Sequence, residues 1–124
     1  MMHGKKILLV DDDPMIRGPL REILSTAGFT IIEAKDGQEC LQYAQHEVPD
    51  LILLDVHLTG MDGVATLQQL RSTEWGKDIK VVMLSSETAI DVVTDTVLLN
   101  VTTYLDKSTF TPPAILAAVQ KILA

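Results

Sequence analysis

Residues 6–13 read KILLVDDD, an apolar run that stops abruptly on three aspartates. Two other segments have the same form: residues 51–55 (LILLD), and residues 103–107 (TYLDK), where the closing charge is Lys107. Short apolar runs bounded by turn signals read as buried parallel strands. The carboxyl ends of such strands lie on one edge of the sheet, where open α/β folds bind their ligands. Three or more carboxylates and one ammonium are therefore expected in a single crevice. At a protein-like effective dielectric, two carboxylates about 4 Å apart repel by roughly 4 kcal/mol. A crevice of this kind calls for a bound cation.

Outward from these three runs, strand-like segments alternate with segments of helical period. The first strand is placed at about Lys5–Asp11. It leads into a helix with Asp13 as N-cap, Pro14 at the first helical position and Gly28 as the left-handed stop. Pro19, inside that helix, predicts a kink. A second strand at Thr30–Ala34 precedes a helix that opens at Asp36-Gly37 and runs to about Gln45, with Cys40, Leu41 and Ala44 facing inward. Strand three is Leu51–Asp55, Val56–Asp62 is a loop, and Gly63–Ser72 is helical. Strand four is Lys80–Leu84, a fourth helix covers Thr88–Leu99 with Asn100 as its left-handed cap, and strand five is Thr103–Asp106. Thr111 then caps a last helix with Pro112 at its first position. Five strand–helix units with right-handed crossovers make a doubly wound, three-layer α/β sandwich with a five-stranded parallel sheet.

The chain has the size of one domain and an ordinary globular composition, 47% hydrophobic and 22% charged over 124 residues. A net charge of −7 argues against nonspecific binding to nucleic acid or membrane, which needs a basic face. The single cysteine, Cys40, has no internal disulfide partner and reads as a small core residue in a reducing compartment. The opening MMHGKK shows no signal-peptide pattern and no stretch reaches membrane-span length, so the expected location is cytoplasmic.

Taken in order, the strand ends carry an acidic pair (Asp11, Asp12), then Asp55 followed by Leu58-Thr59-Gly60-Met61-Asp62-Gly63, then Ser85, then Lys107. In this, residues 5–124 resemble the receiver domain of bacterial two-component response regulators. The resemblance implies the flavodoxin-like strand order 2-1-3-4-5 and a single receiver domain over residues 1–124 with no output domain in this chain. It implies a phosphorelay phosphoprotein, a signalling switch and not a turnover enzyme. Asp55 would be the phosphoacceptor, forming an aspartyl phosphate. Asp11, Asp12, Asp55 and the backbone carbonyl of His57 would ligate Mg²⁺, a cation that takes oxygen ligands and keeps several waters. Lys107 would bind the carboxylate and later a phosphoryl oxygen. Ser85, favoured over Ser86 by its register directly after VVML, would sense the phosphoryl group, and Tyr104 would be the switch aromatic. Asp13 is read as a helix cap and not a ligand.

His57 and Glu87 fall at the rim of the site, where the resemblance implies an influence on water access and on the lifetime of the phosphorylated state. The implied partners are a sensor histidine kinase or phosphotransfer protein, and a downstream protein target or second copy. The latter would bind on the face formed by the Thr88–Leu99 helix, the fifth strand and the last helix, with either Leu98 or Leu99 adding apolar area if exposed. Two positions depart from the family motif, Thr59 and Ser108, each in place of a proline. A cis bond before a non-proline residue costs about 2.5–4 kcal/mol, so Lys107-Ser108 is expected to be trans. Two other functions compete: a receiver-like docking module that is never phosphorylated, and an aspartate-nucleophile phosphatase suggested by Asp55-Val56-His57-Leu58-Thr59. The phosphatase motif has a second acid where this chain has His57.

Overall fold

A computed structural model of the protein describes residues 4–85 and 96–124. Five parallel strands form one sheet: β1 (Lys6–Val10), β2 (Thr30–Ala34), β3 (Leu51–Asp55), β4 (Lys80–Ser85) and β5 (Thr103–Asp106), in the order β2-β1-β3-β4-β5. Four helices accompany them among the described residues: α1 (Pro14–Thr26), α2 (Gly37–Glu47), α3 (Gly63–Arg71) and α4 (Pro112–Leu123).

The two-residue period of the strands divides the core. Leu8, Val10, Ile52, Leu54, Val81 and Met83 face one side and pack with Cys40 and Ala44 of α2 and Leu67 and Leu70 of α3. Ile7, Leu9, Leu51, Leu53, Val82 and Leu84 face the other and pack with Leu20 and Leu24 of α1 and Ile115 and Val119 of α4. Both faces of the sheet are covered, which explains why the strands read as continuous apolar runs and not as alternating ones. This is the expected doubly wound sandwich.

Local punctuation follows the capping chemistry. Asp13 accepts from the Met15 N–H and opens α1, which runs through Pro19 as one element. Asp36, Asp62 and Thr111 each accept from a backbone N–H in the first turn of their helices. Gly28 (φ 104°) and Asn100 (φ 58°) take the left-handed conformation. The strand bounds differ from expectation by a residue: β1 begins at Lys6 and ends at Val10, and β4 extends to Ser85. Helix α2 continues to Glu47 and ends on Val48 in the left-handed conformation (φ 43°), unusual for a β-branched residue. Most of the expected Thr88–Leu99 helix lies outside the described residues. Residues 97–99 form a 3-10 turn that Asn100 closes.

Candidate functional site

The site lies where β1, β3 and β5 end. Asp11 follows β1 and is fully buried, and its N–H donates to the Ala34 carbonyl of β2 at 3.1 Å. Asp55 closes β3 and is 2% exposed. Lys107 comes just after β5, and its N–H donates to the Ser85 carbonyl at 2.6 Å, which holds the loop against β4. From there Nζ reaches Asp11 Oδ2 at 2.8 Å and Asp55 Oδ2 at 3.0 Å. Asp12, by contrast, is exposed. One carboxylate oxygen from each of Asp11, Asp12 and Asp55 lies within 4.8 Å of the others.

The remaining oxygens are tied to the backbone. Asp55 Oδ1 accepts from the His57 N–H at 3.1 Å, and Asp11 Oδ1 accepts from the Asp13 N–H at 3.0 Å. Short side-chain-to-backbone bonds of this form are Asx turns, which orient each carboxylate on its own loop. Gly63 fixes the far wall: a Cβ there would sit 2.2 Å from the Asp55 carbonyl oxygen and 2.8 Å from Val56 Cα. Only glycine lets the start of α3 come this close to the end of β3.

Charge and burial oppose each other here. Burial raises the Asp55 pKa and the charge of Asp11 raises it further, against the lowering effect of the Lys107 hydrogen bond, and the balance is a raised value. For Lys107, burial works against the ammonium. Hydrogen bonds and charge from Asp11 and Asp55 outweigh it, so the lysine pKa rises and Nζ stays protonated. Two buried carboxylates share one ammonium, leaving net negative charge in the crevice. A set of hard oxygen donors with that residual charge fits a small divalent cation of the Mg²⁺ type.

Of the residues singled out in the sequence, Asp11, Asp12, Asp55 and Lys107 converge. His57 stands beside them with an exposed side chain, and Ser85 is the half-buried last residue of β4, paired with Asp106 of β5. Tyr104 is half-buried against the α2–α3 side of the core, with its hydroxyl hydrogen-bonded to the buried Thr96. Glu87 and Ser86 lie outside the described residues. The Lys107-Ser108 bond is trans, as expected from the lost proline. Cys40 is buried and burial pushes its thiol up to about 12, in keeping with a core role. Leu99 packs on the core, whereas Leu98 is 93% exposed.

Three contacts were missed in reading the sequence. Arg17 Nη1 donates to the Asp11 carbonyl at 2.6 Å while its guanidinium also meets Glu33 on β2. Thr59 Oγ1 donates to Asp12 Oδ2 at 2.7 Å, and Thr96 meets Tyr104. The spacing of Arg17 from Asp13 hints at the first of these, since one helical turn brings it back over the cap. The other two join residues with no shared period.

The chain belongs to the response regulator receiver domain family, which it matches over residues 7–120. The family is that of two-component signalling. Sporulation initiation phosphotransferase F of Bacillus subtilis is 32% identical over 106 residues, covering 86% of this chain and 84% of that protein. Other curated relatives are longer, and the match spans 36% and 49% of the length of two of them. Among solved structures, Vibrio cholerae chemotaxis protein CheY4 superposes with a TM-score of 0.88 at 30% identity, over 96% of this chain and 98% of that one. The phosphorylated cyanobacterial phytochrome response regulator RcpA gives 0.81 at 31% identity, over 96% and 91%. No helix among the described residues is long and apolar enough to cross a membrane.

Proposed function

We propose that the protein is a phosphorylation switch in which Asp55 accepts a phosphoryl group from the phosphohistidine of a sensor kinase or phosphotransfer protein. The bond from phosphorus to the imidazole nitrogen breaks as one from phosphorus to an Asp55 carboxylate oxygen forms, and the imidazole leaves. The observation that carries this reading is the position of Lys107 Nζ, 2.8 Å from Asp11 and 3.0 Å from Asp55, beside three converging carboxylates. Asp55 is held by backbone and ammonium in one orientation, so the entropy of aiming the nucleophile is met before the donor arrives.

Asp11, Asp12, Asp55 and the His57 carbonyl would hold Mg²⁺. Bound there, the ion would neutralise charge that builds on the transferring phosphoryl group. Lys107 follows the charge: its ammonium can exchange an Asp55 oxygen for a phosphoryl oxygen without leaving Asp11. Ser85, at the neighbouring strand end, is the hydroxyl we assign to the phosphoryl group. Tyr104 is the aromatic we assign to the switch, and its hydrogen bond to Thr96 is the contact that a turn of the ring would change. His57 and Glu87 are assigned to the rim, where side-chain size and charge would govern access of hydrolytic water. Leu98, exposed in the turn that precedes β5, supports an output surface that includes this turn for a protein target or a second copy.

Acetyl phosphate serves as a donor that needs no partner protein. With Mg²⁺, the intact mass of the wild-type chain is expected to gain one phosphoryl group, and Asp55→Asn to gain none. Absence of an adduct on the wild type, or its persistence on Asp55→Asn, would overturn the assignment.

A further inference from the structure

Each buried carboxylate of the site is fixed from several directions. Asp55 is held by the His57 N–H and Lys107, and Asp11 by the Asp13 N–H and Lys107. Asp12 is different: it is exposed, and among the described residues its side chain is held by the Thr59 hydroxyl, 2.7 Å from Oδ2. With that bond in place, a carboxylate oxygen of Asp12 lies within 4.8 Å of those of Asp11 and Asp55. From this juxtaposition we propose that Thr59 is a positioning residue for the divalent cation, holding Asp12 turned toward the other two acids before the ion binds. The inference rests on the cation reading given above.

An exposed aspartate otherwise samples several rotamers, and in this crevice the charges of Asp11 and Asp55 push it outward. A hydroxyl donor on the facing loop opposes both tendencies. It uses one lone pair of one oxygen and leaves the carboxylate's remaining lone pairs for a cation, so it orients the ligand without occupying it. Hydrogen-bonded carboxylates behind or beside a metal commonly depend on such partners, whose loss weakens metal affinity about 10- to 100-fold. Proline, the residue of the motif this loop otherwise resembles, has no hydroxyl to give, so the tie belongs to this chain's own sequence.

Binding of Mn²⁺ to the full chain, followed by the electron paramagnetic resonance signal of the free ion, reads the proposal directly. Thr59→Val keeps the shape and removes the donor, and is expected to weaken Mn²⁺ binding roughly tenfold. Thr59→Ser, which restores a hydroxyl, should bind as the wild type does. Asp12→Ala, which removes the acceptor, should weaken binding by itself and leave Thr59→Val with no further effect. Circular dichroism and urea unfolding confirm that each variant is folded, and Thr59→Ala replaces Thr59→Val if the latter is not. Unchanged affinity in the folded donor-less variant, or a loss of equal size in the Asp12→Ala background, overturns the role of Thr59 while the cation site stands. A wild-type chain that ignores Mn²⁺ overturns both.

Discussion

Lys107 is the described cation that reaches Asp11 and Asp55 together, and it does so from a 14% exposed side chain. Removing it leaves two buried carboxylates facing each other. Breaking a buried pair by deleting one partner costs about 3–5 kcal/mol, and the partial exposure here places Lys107→Met near the lower end. Urea unfolding at neutral pH should show this loss, with a part recovered on adding Mg²⁺. Equal stability of variant and wild type would mean that the pair is not coupled. Val48 makes an opposite prediction. It holds a left-handed conformation at the end of α2 with its side chain largely in solvent. A β-branched residue in that conformation costs about 1–2 kcal/mol, so Val48→Gly should stabilise the fold, less the entropy glycine adds to the unfolded chain. Lys107 was legible in the sequence because a charge ending an apolar run is a positional signal. Val48 was not, since nothing in a helix-terminal valine announces its φ. Nor was Thr59, whose partner Asp12 is 47 residues away and is chosen only by the folded loops.

The strands and the caps were the most readable elements. β2, β3 and β5 lie where the apolar runs and punctuation put them: central β3, covered on both faces, is apolar until it stops at Asp55, whereas the less buried edge strands β2 and β5 are marked by the turn and cap residues that flank them. Ends defined by hydrogen bonds were less readable: Ser85 joins β4 because its pairing with Asp106 continues the ladder, which hydropathy does not encode. The approach of α3 to β3 illustrates how an element serves the site. Gly63→Ala would drive a methyl into the Asp55 carbonyl, 2.2 Å away. Forced overpacking of this kind typically costs about 1–3 kcal/mol, and relief by backbone movement would displace Asp55. The variant should therefore lose both thermal stability and phosphorylation rate, whereas Gly18→Ala, with open space around it, should lose neither. The link between β5 and Thr96 yields another prediction. Thr96→Val removes a hydrogen bond worth about 0.5–1.5 kcal/mol. It should destabilise the unphosphorylated protein more than the phosphorylated one, if Tyr104 leaves Thr96 on switching. An equal effect on both states would remove Tyr104 from the switch.

Across the whole chain, negative charge exceeds positive by seven, and part of that excess is concentrated in the crevice. The folded state tolerates it at a cost that pH reveals. Because the folded pKa of Asp55 lies above the ordinary value of 3.8, the native protein holds that proton more tightly than the unfolded chain does. The associated stability is fully present below 3.8 and is lost as pH rises through the raised folded value. In divalent-free buffer at neutral pH, Asp55→Asn should consequently be the more stable protein by about 0.5–2 kcal/mol. Lys107 keeps Asp11 as its partner in that variant, and the gap should close in acid and narrow with Mg²⁺. Such a trade of stability for chemistry is what a site built to carry charge entails. The most direct test of that chemistry is borohydride trapping after incubation with acetyl phosphate and Mg²⁺, since reduction of an aspartyl phosphate leaves homoserine at the modified position. The expected result is homoserine at position 55, abolished by chelation of the cation. Homoserine at Asp11 or Asp12, or none at all in a folded, Mg²⁺-loaded protein, would contradict it.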